Sequence, residues 1–422
     1  MLNPMDALFL ALSPQGFGET LIGLSLADQI APQGVTSRFI VEGYARPLLE
    51  GRGYDFDVIE PGMGRLAGLV IDDVVRRFRP DVIVLADYFT YCSVMERRYR
   101  LDPWFLESYD IPVVPIDIWE WANTDFVVDI AGEYVYRTSD RFRSFPAHLR
   151  PVPLAHLAPA GRTRPFRVWD GEEPISARSR SRLRASLGVG DHDRLVLLAT
   201  AQWQVTSDAA YSEAASAVAS GIPRIVTRYL ERLPAQTHFL LIGEIPAAWS
   251  GLPADRTHAV PPCPPRQFGA LLQAADAVLS LNIGATTVWR AVMSGVPAMV
   301  LGNRYRLRDA ADLDSDLGGF TPFIRDAVRD CLPLHPFRMW PLGFHSFLAP
   351  LLTANPYTDA VAQAEVLDEP AAVDGLTSLL FDADGRASRL AAQHDYADQV
   401  RALAETADVF TAVAQDLGLR VG

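Results

Sequence analysis

The stretch LNIGATTVWRAVMSGVPAMVL, residues 281–301, sets a small hydroxylated turn between an apolar strand and a helical segment. Gly284 and Ala285 leave the backbone open, and Thr286 and Thr287 add two hydroxyls. The first N–H groups of a helix have no intrahelical partner, so such a turn, with Asn282 at its edge, suits a diphosphate. A single threonine acting as N-cap accounts for part of the same pattern. Arg290 follows on the first turn of that helix. A guanidinium there suits a phosphate or carboxylate of a ligand, or an ion pair with a nearby acid. A second turn, 13–20, carries Gly16 and Gly18 ahead of another helix, where glycine lets backbone amides approach a ligand closely. It misses the G-x-G-x-x-G pattern, because the third glycine would fall at Leu21. A third turn, 201–206, offers Gln202 and Thr206 to the same kind of anion, and loop polarity explains them equally well.

These turns matter only if the chain brings them to one edge of a sheet. The N-terminal half alternates predicted strands (7–12, 35–43, 56–62, 81–88, 111–121) with helical spacing (21–34, 45–53, 66–80). Residues 146–174 are proline-rich and aperiodic, and read as irregular connecting structure. A basic helix closed by Gly188 follows. Alternation then resumes with strands at 194–203, 237–244, 256–260, 277–282 and 297–303 and helices at 211–233, 265–276 and 288–295. Residues 309–368 are less regular, and 376–380 and 386–419 read as helical. Such alternation implies parallel sheets covered on both faces, an α/β protein whose ligands bind beyond the carboxyl ends of the strands. The expected division is 1–150, a linker 151–190, a second domain 191–385, and C-terminal helices 386–422 that could cross back to the first domain.

The bulk properties bound the function. A chain of 422 residues suggests two domains. Net charge is -13 and pI is near 5.1, which argues against a nucleic-acid partner. All 38 basic residues are arginine, so a lysine Schiff base and a P-loop lysine are excluded. Cys92, Cys263 and Cys331 lie far apart with no metal-ligand spacing, and sparse cysteine fits a reducing cytoplasm. The start lacks a basic region before its short apolar run, so neither a signal peptide nor a membrane span is expected.

Taken in order, these segments resemble the GT-B glycosyltransferases. The segment ADAVLSLNIGATTVWRAVMSGVPAMVL is similar to their donor-binding segment, with Asp276, Gly284, Ala285, Thr287, Ala291, Gly295 and Pro297 on the pattern. The N-terminal GFGETLIGLSLADQI resembles their glycine loop and its helix, and RFRPDVIVLADY their Pro-Asp strand. The likeness is particularly to peptidoglycan N-acetylglucosaminyltransferases and antibiotic and macrolide glycosyltransferases. It implies two Rossmann-like domains facing across a cleft, with a nucleotide-sugar donor and a small-molecule acceptor. Three positions depart from the pattern. Asn282 stands where His or Arg is common, Arg290 where a ribose-binding Glu is usual, and Glu19 where many members have a catalytic His.

The resemblance implies transfer of a UDP-, dTDP- or GDP-linked sugar, in bacterial specialised metabolism, without metal and with inversion. Glu19 is the first candidate base, and it could equally be a helix-start carboxylate. Asp87 and Asp117 end predicted strands of the acceptor half; either could be the base, orient it, or simply cap a turn. Gly18, Gln202, Gly243, Asn282, Gly284, Ala285, Thr286, Thr287 and Arg290 are the candidate donor-binding residues. Tyr88, Phe89, Tyr91, Trp119 and Trp121 could line an aromatic acceptor pocket or pack in the core. The aromatic stretch 335–352, with His335 and His345, could be a lid, an acceptor element or a dimer surface. An epimerase or hydrolase of sugar nucleotides, and a non-catalytic partner protein, are the competing readings.

Overall fold

The computed structural model of the protein describes residues 5–13, 16–123, 127–130, 134–137, 139–201, 213–315, 320–334 and 348–419. The chain divides into two compact units. One comprises Met1–Asp125, Thr138–Trp169 and Gln399–Gly422; the other comprises Phe126–Arg137 and Asp170–Asp398.

In the first unit, five short strands form one parallel sheet: β1 (Met5–Ala11), β2 (Val35–Glu42), β3 (Asp55–Ile59), β4 (Val82–Leu85) and β5 (Val113–Pro115). Their order is β3-β2-β1-β4-β5. β4, Val-Ile-Val-Leu, is buried throughout, as a strand covered on both faces must be. A hairpin, β6 (Val127–Ile130) and β7 (Tyr134–Arg137), is grouped with the second unit.

Residues 146–174 are not irregular connecting structure. They hold β8 (His148–Val152) and β9 (Thr163–Arg167), paired in parallel. A parallel bridge from Ile116 to Leu149 and the Asp117 N–H donated to the Leu149 carbonyl (2.7 Å) set β8 beside β5. Pro151 and Pro165 hide these strands in the sequence, because proline lacks the N–H that a ladder uses. The segment 151–190, read as a linker, is thus split between the units. Its second half forms the helix Ala177–Ser186, which is N-capped by Ser176.

The second unit repeats the topology. β10 (Arg194–Thr200), β11 (Thr237–Gly243), β12 (Thr257–Val260), β13 (Ala277–Ser280), β14 (Ala298–Gly302) and β15 (Ala362–Glu365) lie in the order β12-β11-β10-β13-β14-β15, all parallel. β15 falls in the stretch that read as less regular; Ala-Gln-Ala-Glu carries no β-branched residue to announce it. In each sheet the strand order reverses beside the first strand, between β1 and β4 and between β10 and β13. Those are the points where a doubly wound sheet opens a crevice for a ligand.

The C-terminal helical stretch is two helices, Ala383–Arg401 and Thr406–Asp416. The second is tied to the first unit, with the Thr406 hydroxyl donating to the Arg167 carbonyl (2.9 Å). Among the described residues no helix is long and apolar enough to cross a membrane.

Candidate active site

Glu19 and Asp87 stand at the reversal point of the first sheet. The helix Gly18–Ile30 follows β1, so Gly18 and Glu19 open it, and no side chain caps it at Phe17. The Ser13 hydroxyl donates to Glu19 Oε2. Asp87 directly follows β4 and caps the helix Tyr88–Val94, accepting the Thr90 N–H (3.0 Å), the Phe89 N–H (3.3 Å) and the Thr90 hydroxyl. Burial, and then the negative charge of Glu19, push Asp87 up to about 7, against the pull of those hydrogen bonds. Asp87 is therefore both a cap and a buried carboxyl that feels the charge of Glu19.

Asp117, just beyond β5, is buried and accepts the N–H groups of Trp121 (2.8 Å) and Ala122 (2.9 Å). Burial raises it to about 6, and the charge of Glu120 adds to that. Of the aromatic residues, Tyr88, Tyr91 and Trp121 are buried, and Phe89 packs edge-on against Trp121 with ring centroids 4.7 Å apart. Two neighbours escaped the sequence reading. Glu120 accepts both the backbone N–H (2.6 Å) and the Nδ1 (2.9 Å) of His156, and pairs with Arg150 at 3.1 Å. His156 sits in the proline-rich stretch that showed no periodicity, and no motif marks it.

In the second unit, residues 282–287 lie at the other reversal point, between β13 and the helix Thr286–Met293. The Asn282 side chain accepts the Gly284 N–H (2.7 Å), and its carbonyl accepts the Ala285 N–H (3.1 Å). The N-cap is Ala285, with no side-chain cap. Neither threonine is used as the cap, and Thr286 and Thr287 occupy the first two helical positions. A tight Asx turn thus leads into a helix start whose first amides no side chain caps.

Arg290 lies in the last turn of this short helix, not the first. It is buried, its Nε donates to Glu172, its Nη2 donates to the Pro265 carbonyl (2.9 Å), and its guanidinium stacks 4.5 Å over the Phe268 ring. Of the roles open to it, the ion pair with a nearby acid is the one this geometry supports. Asp276, on the family pattern, is likewise internal: Arg184 (2.8 Å), Arg180 (3.0 Å) and the Leu195 N–H (2.8 Å) converge on it.

Gly243 ends β11 opposite Thr200 with φ +101°, and a Cβ there would overlap the Thr200 carbonyl oxygen. Both the conformation and the space demand glycine. Gly243→Ala is expected to destabilise the protein by at least ~2 kcal/mol in chemical denaturation. An unchanged midpoint would show that the β10 and β11 ends can separate freely. Gln202, Thr206, His335 and His345 lie outside the described residues.

The family profile described as a family of unknown function, DUF6365, matches residues 26–418. The chain belongs to that family. No curated protein matches the sequence. Among solved structures, Anabaena HepE in complex with UDP-glucose is similar with a TM-score of 0.57 at 14% identity, over 98% of this chain and 99% of that one. The glycosyltransferase VinC in complex with dTDP gives 0.55 at 12%, over 98% and 100%. A Listeria monocytogenes protein assigned as a UDP-N-acetylglucosamine 2-epimerase gives 0.57 at 11%, over 100% and 99%. The fold is GT-B, with two Rossmann-like α/β units. At such identities the likeness speaks for the fold and leaves the chemistry to the site.

Proposed function

We propose that the protein transfers a sugar from a nucleoside-diphosphate donor to a small-molecule acceptor. The observation that carries this reading is the turn 282–287, whose helix start has no side-chain cap and two threonine hydroxyls in its first turn. In the reaction, the anomeric carbon–oxygen bond to the diphosphate breaks and its electron pair stays on the phosphate oxygen. The helix-start amides and hydroxyls stabilise that developing charge. An acceptor heteroatom forms the new bond to the anomeric carbon, and its proton passes to the Glu19–Asp87 pair. One displacement of this kind inverts the anomeric centre.

The first test is thermal stabilisation of the purified protein by UDP, dTDP, GDP and CDP, with and without Mg²⁺. A nucleotide at a hundredfold excess over its Kd stabilises by about 2.7 kcal/mol, which raises the melting temperature visibly. Stabilisation by one nucleotide, independent of metal, supports the reading and selects the sugar series to try. No shift with any of them would overturn it. In the double variant Thr286→Val/Thr287→Val, nucleotide affinity is expected to fall about tenfold or more, since each hydroxyl contributes a hydrogen bond to a charged group. Sugar release or interconversion without acceptor, in place of transfer, would assign the same fold to hydrolysis or epimerisation.

A further inference from the structure

The turn that leads into the helix Thr286–Met293 is locked at its centre. The Ala285 N–H closes it onto the Asn282 carbonyl (3.1 Å), which puts Ile283 and Gly284 at the two central positions. Neither of them lies at a positive φ, so the turn is type I. The peptide between them is held at both ends. Its N–H, on Gly284, is donated to the Asn282 side chain (2.7 Å). Its carbonyl, on Ile283, accepts the Tyr357 hydroxyl (3.0 Å) from 74 residues away. Tyr357 and Ile283 are both buried. The Tyr357 ring meets Tyr396 edge-on with centroids 5.6 Å apart, and its backbone N–H is donated to the Asn355 side chain (3.0 Å). Burial pushes the phenol well above its ordinary value, so the donated proton stays in place at any working pH.

This bond meets a conformational hazard. Rotating the central peptide of a type I turn gives type II, which needs a positive φ at the third residue and is therefore open to glycine. Gly284 stands at that position. The rotation would carry the Ile283 carbonyl out of the core and toward the uncapped amides that open the next helix. A carbonyl oxygen there repels an anion that those amides attract. We infer that Tyr357 is a positioning residue for the donor's diphosphate, its hydroxyl keeping the Ile283 carbonyl inward and the turn in its anion-accepting form. This rests on the glycosyl-transfer reading and adds to it a residue too deeply buried to touch the donor itself.

The test is equilibrium binding by calorimetry on the full chain, in competition mode where binding is weak. The probes are the nucleoside diphosphate that the thermal screen selects from UDP, dTDP, GDP and CDP, and the nucleoside of the same base. In Tyr357→Phe, which keeps the ring, the diphosphate is expected to bind about tenfold more weakly, the worth of one buried hydrogen bond passed on to the turn, while the nucleoside binds as before. In a Gly284→Ala background the same substitution should cost less than about threefold, because alanine resists the positive φ of the rotated turn. An unchanged diphosphate affinity in Tyr357→Phe, an equal loss for diphosphate and nucleoside, or an equal loss in both backgrounds overturns the inference. Should Tyr357→Phe fail to fold, Asn282→Ala frees the other end of the same peptide, and the same comparisons decide the matter. A wild type that binds no nucleotide removes the glycosyl-transfer reading as well. A wild type that binds, with Tyr357→Phe binding alike, removes only this inference.

Discussion

Glu19→Gln is expected to lower kcat for sugar transfer by two to four orders of magnitude (~10²–10⁴) while leaving nucleotide affinity unchanged. Glu19 opens the helix after β1, Asp87 follows β4, and these strands flank the reversal point of the first sheet. Burial, and then the charge of Glu19, hold Asp87 up at about 7. Ionisation of Asp87 makes the site more basic, so kcat/KM should rise with pH through about 7. Asp87→Asn keeps an oxygen to cap Phe89 and Thr90 but removes the like charge, so the step near neutrality should vanish. The same substitution has a stability signature. Asp87 and Asp117 titrate higher in the folded chain (about 7 and about 6) than unfolded, where the ordinary value is 3.8, so folding takes up protons between those limits. Their contribution is full below the unfolded value and is lost as pH rises through the folded ones. Thermal melts from about pH 5 to 8 should show that decline, flatter in Asp87→Asn. Near-normal turnover in Glu19→Gln, or a persisting pH step in Asp87→Asn, would reduce the pair to a helix cap and its neighbour.

What the sequence could show divides along a physical line. Buried strands such as β4 and β13 are runs of apolar residues, a local property, and they are readable one window at a time. So was the turn 282–287, because its glycine and threonines are adjacent. The strands β8 and β9 were not, since each carries a proline where the ladder tolerates one, and with them went His156. Partner choice is non-local. Glu120 and His156 are 36 residues apart and Arg290 and Glu172 are 118 apart, and no periodicity links residues across such separations. Asp276 shows the converse. A residue on a recognisable pattern proves to be a hub where two arginines of the helix Ala177–Ser186 and a backbone amide of β10 meet.

Arg290 gives the second large effect. Its pair with Glu172 has side chains only 8% and 15% exposed, with further support from the Pro265 carbonyl and the Phe268 ring. Removing the arginine strands a desolvated carboxylate, and Arg290→Met should cost about 3–5 kcal/mol. Replacing both members, as in Arg290→Met/Glu172→Gln, leaves no uncompensated charge and should recover most of that loss. The coupling energy from the cycle is then large and favourable to the native pair. Gly269 supplies a second route to the same contact. A Cβ there would overlap Glu172 Oε2 and press toward Arg290 Nη2 at 3.3 Å. Gly269→Ala should therefore destabilise the wild type and do far less in a Glu172→Ala background. The pair holds residue 172 against the helices Pro265–Ala274 and Thr286–Met293, so breaking it loosens the helix that presents Thr286 and Thr287. Nucleotide affinity should fall in Arg290→Met and return in the double variant. If affinity fell in Arg290→Met and stayed low in the double variant although stability had returned, the guanidinium would be touching the donor directly. A simultaneous return of both makes it a positioning residue, whose charge is spent on Glu172 and whose effect on the diphosphate passes through the helix.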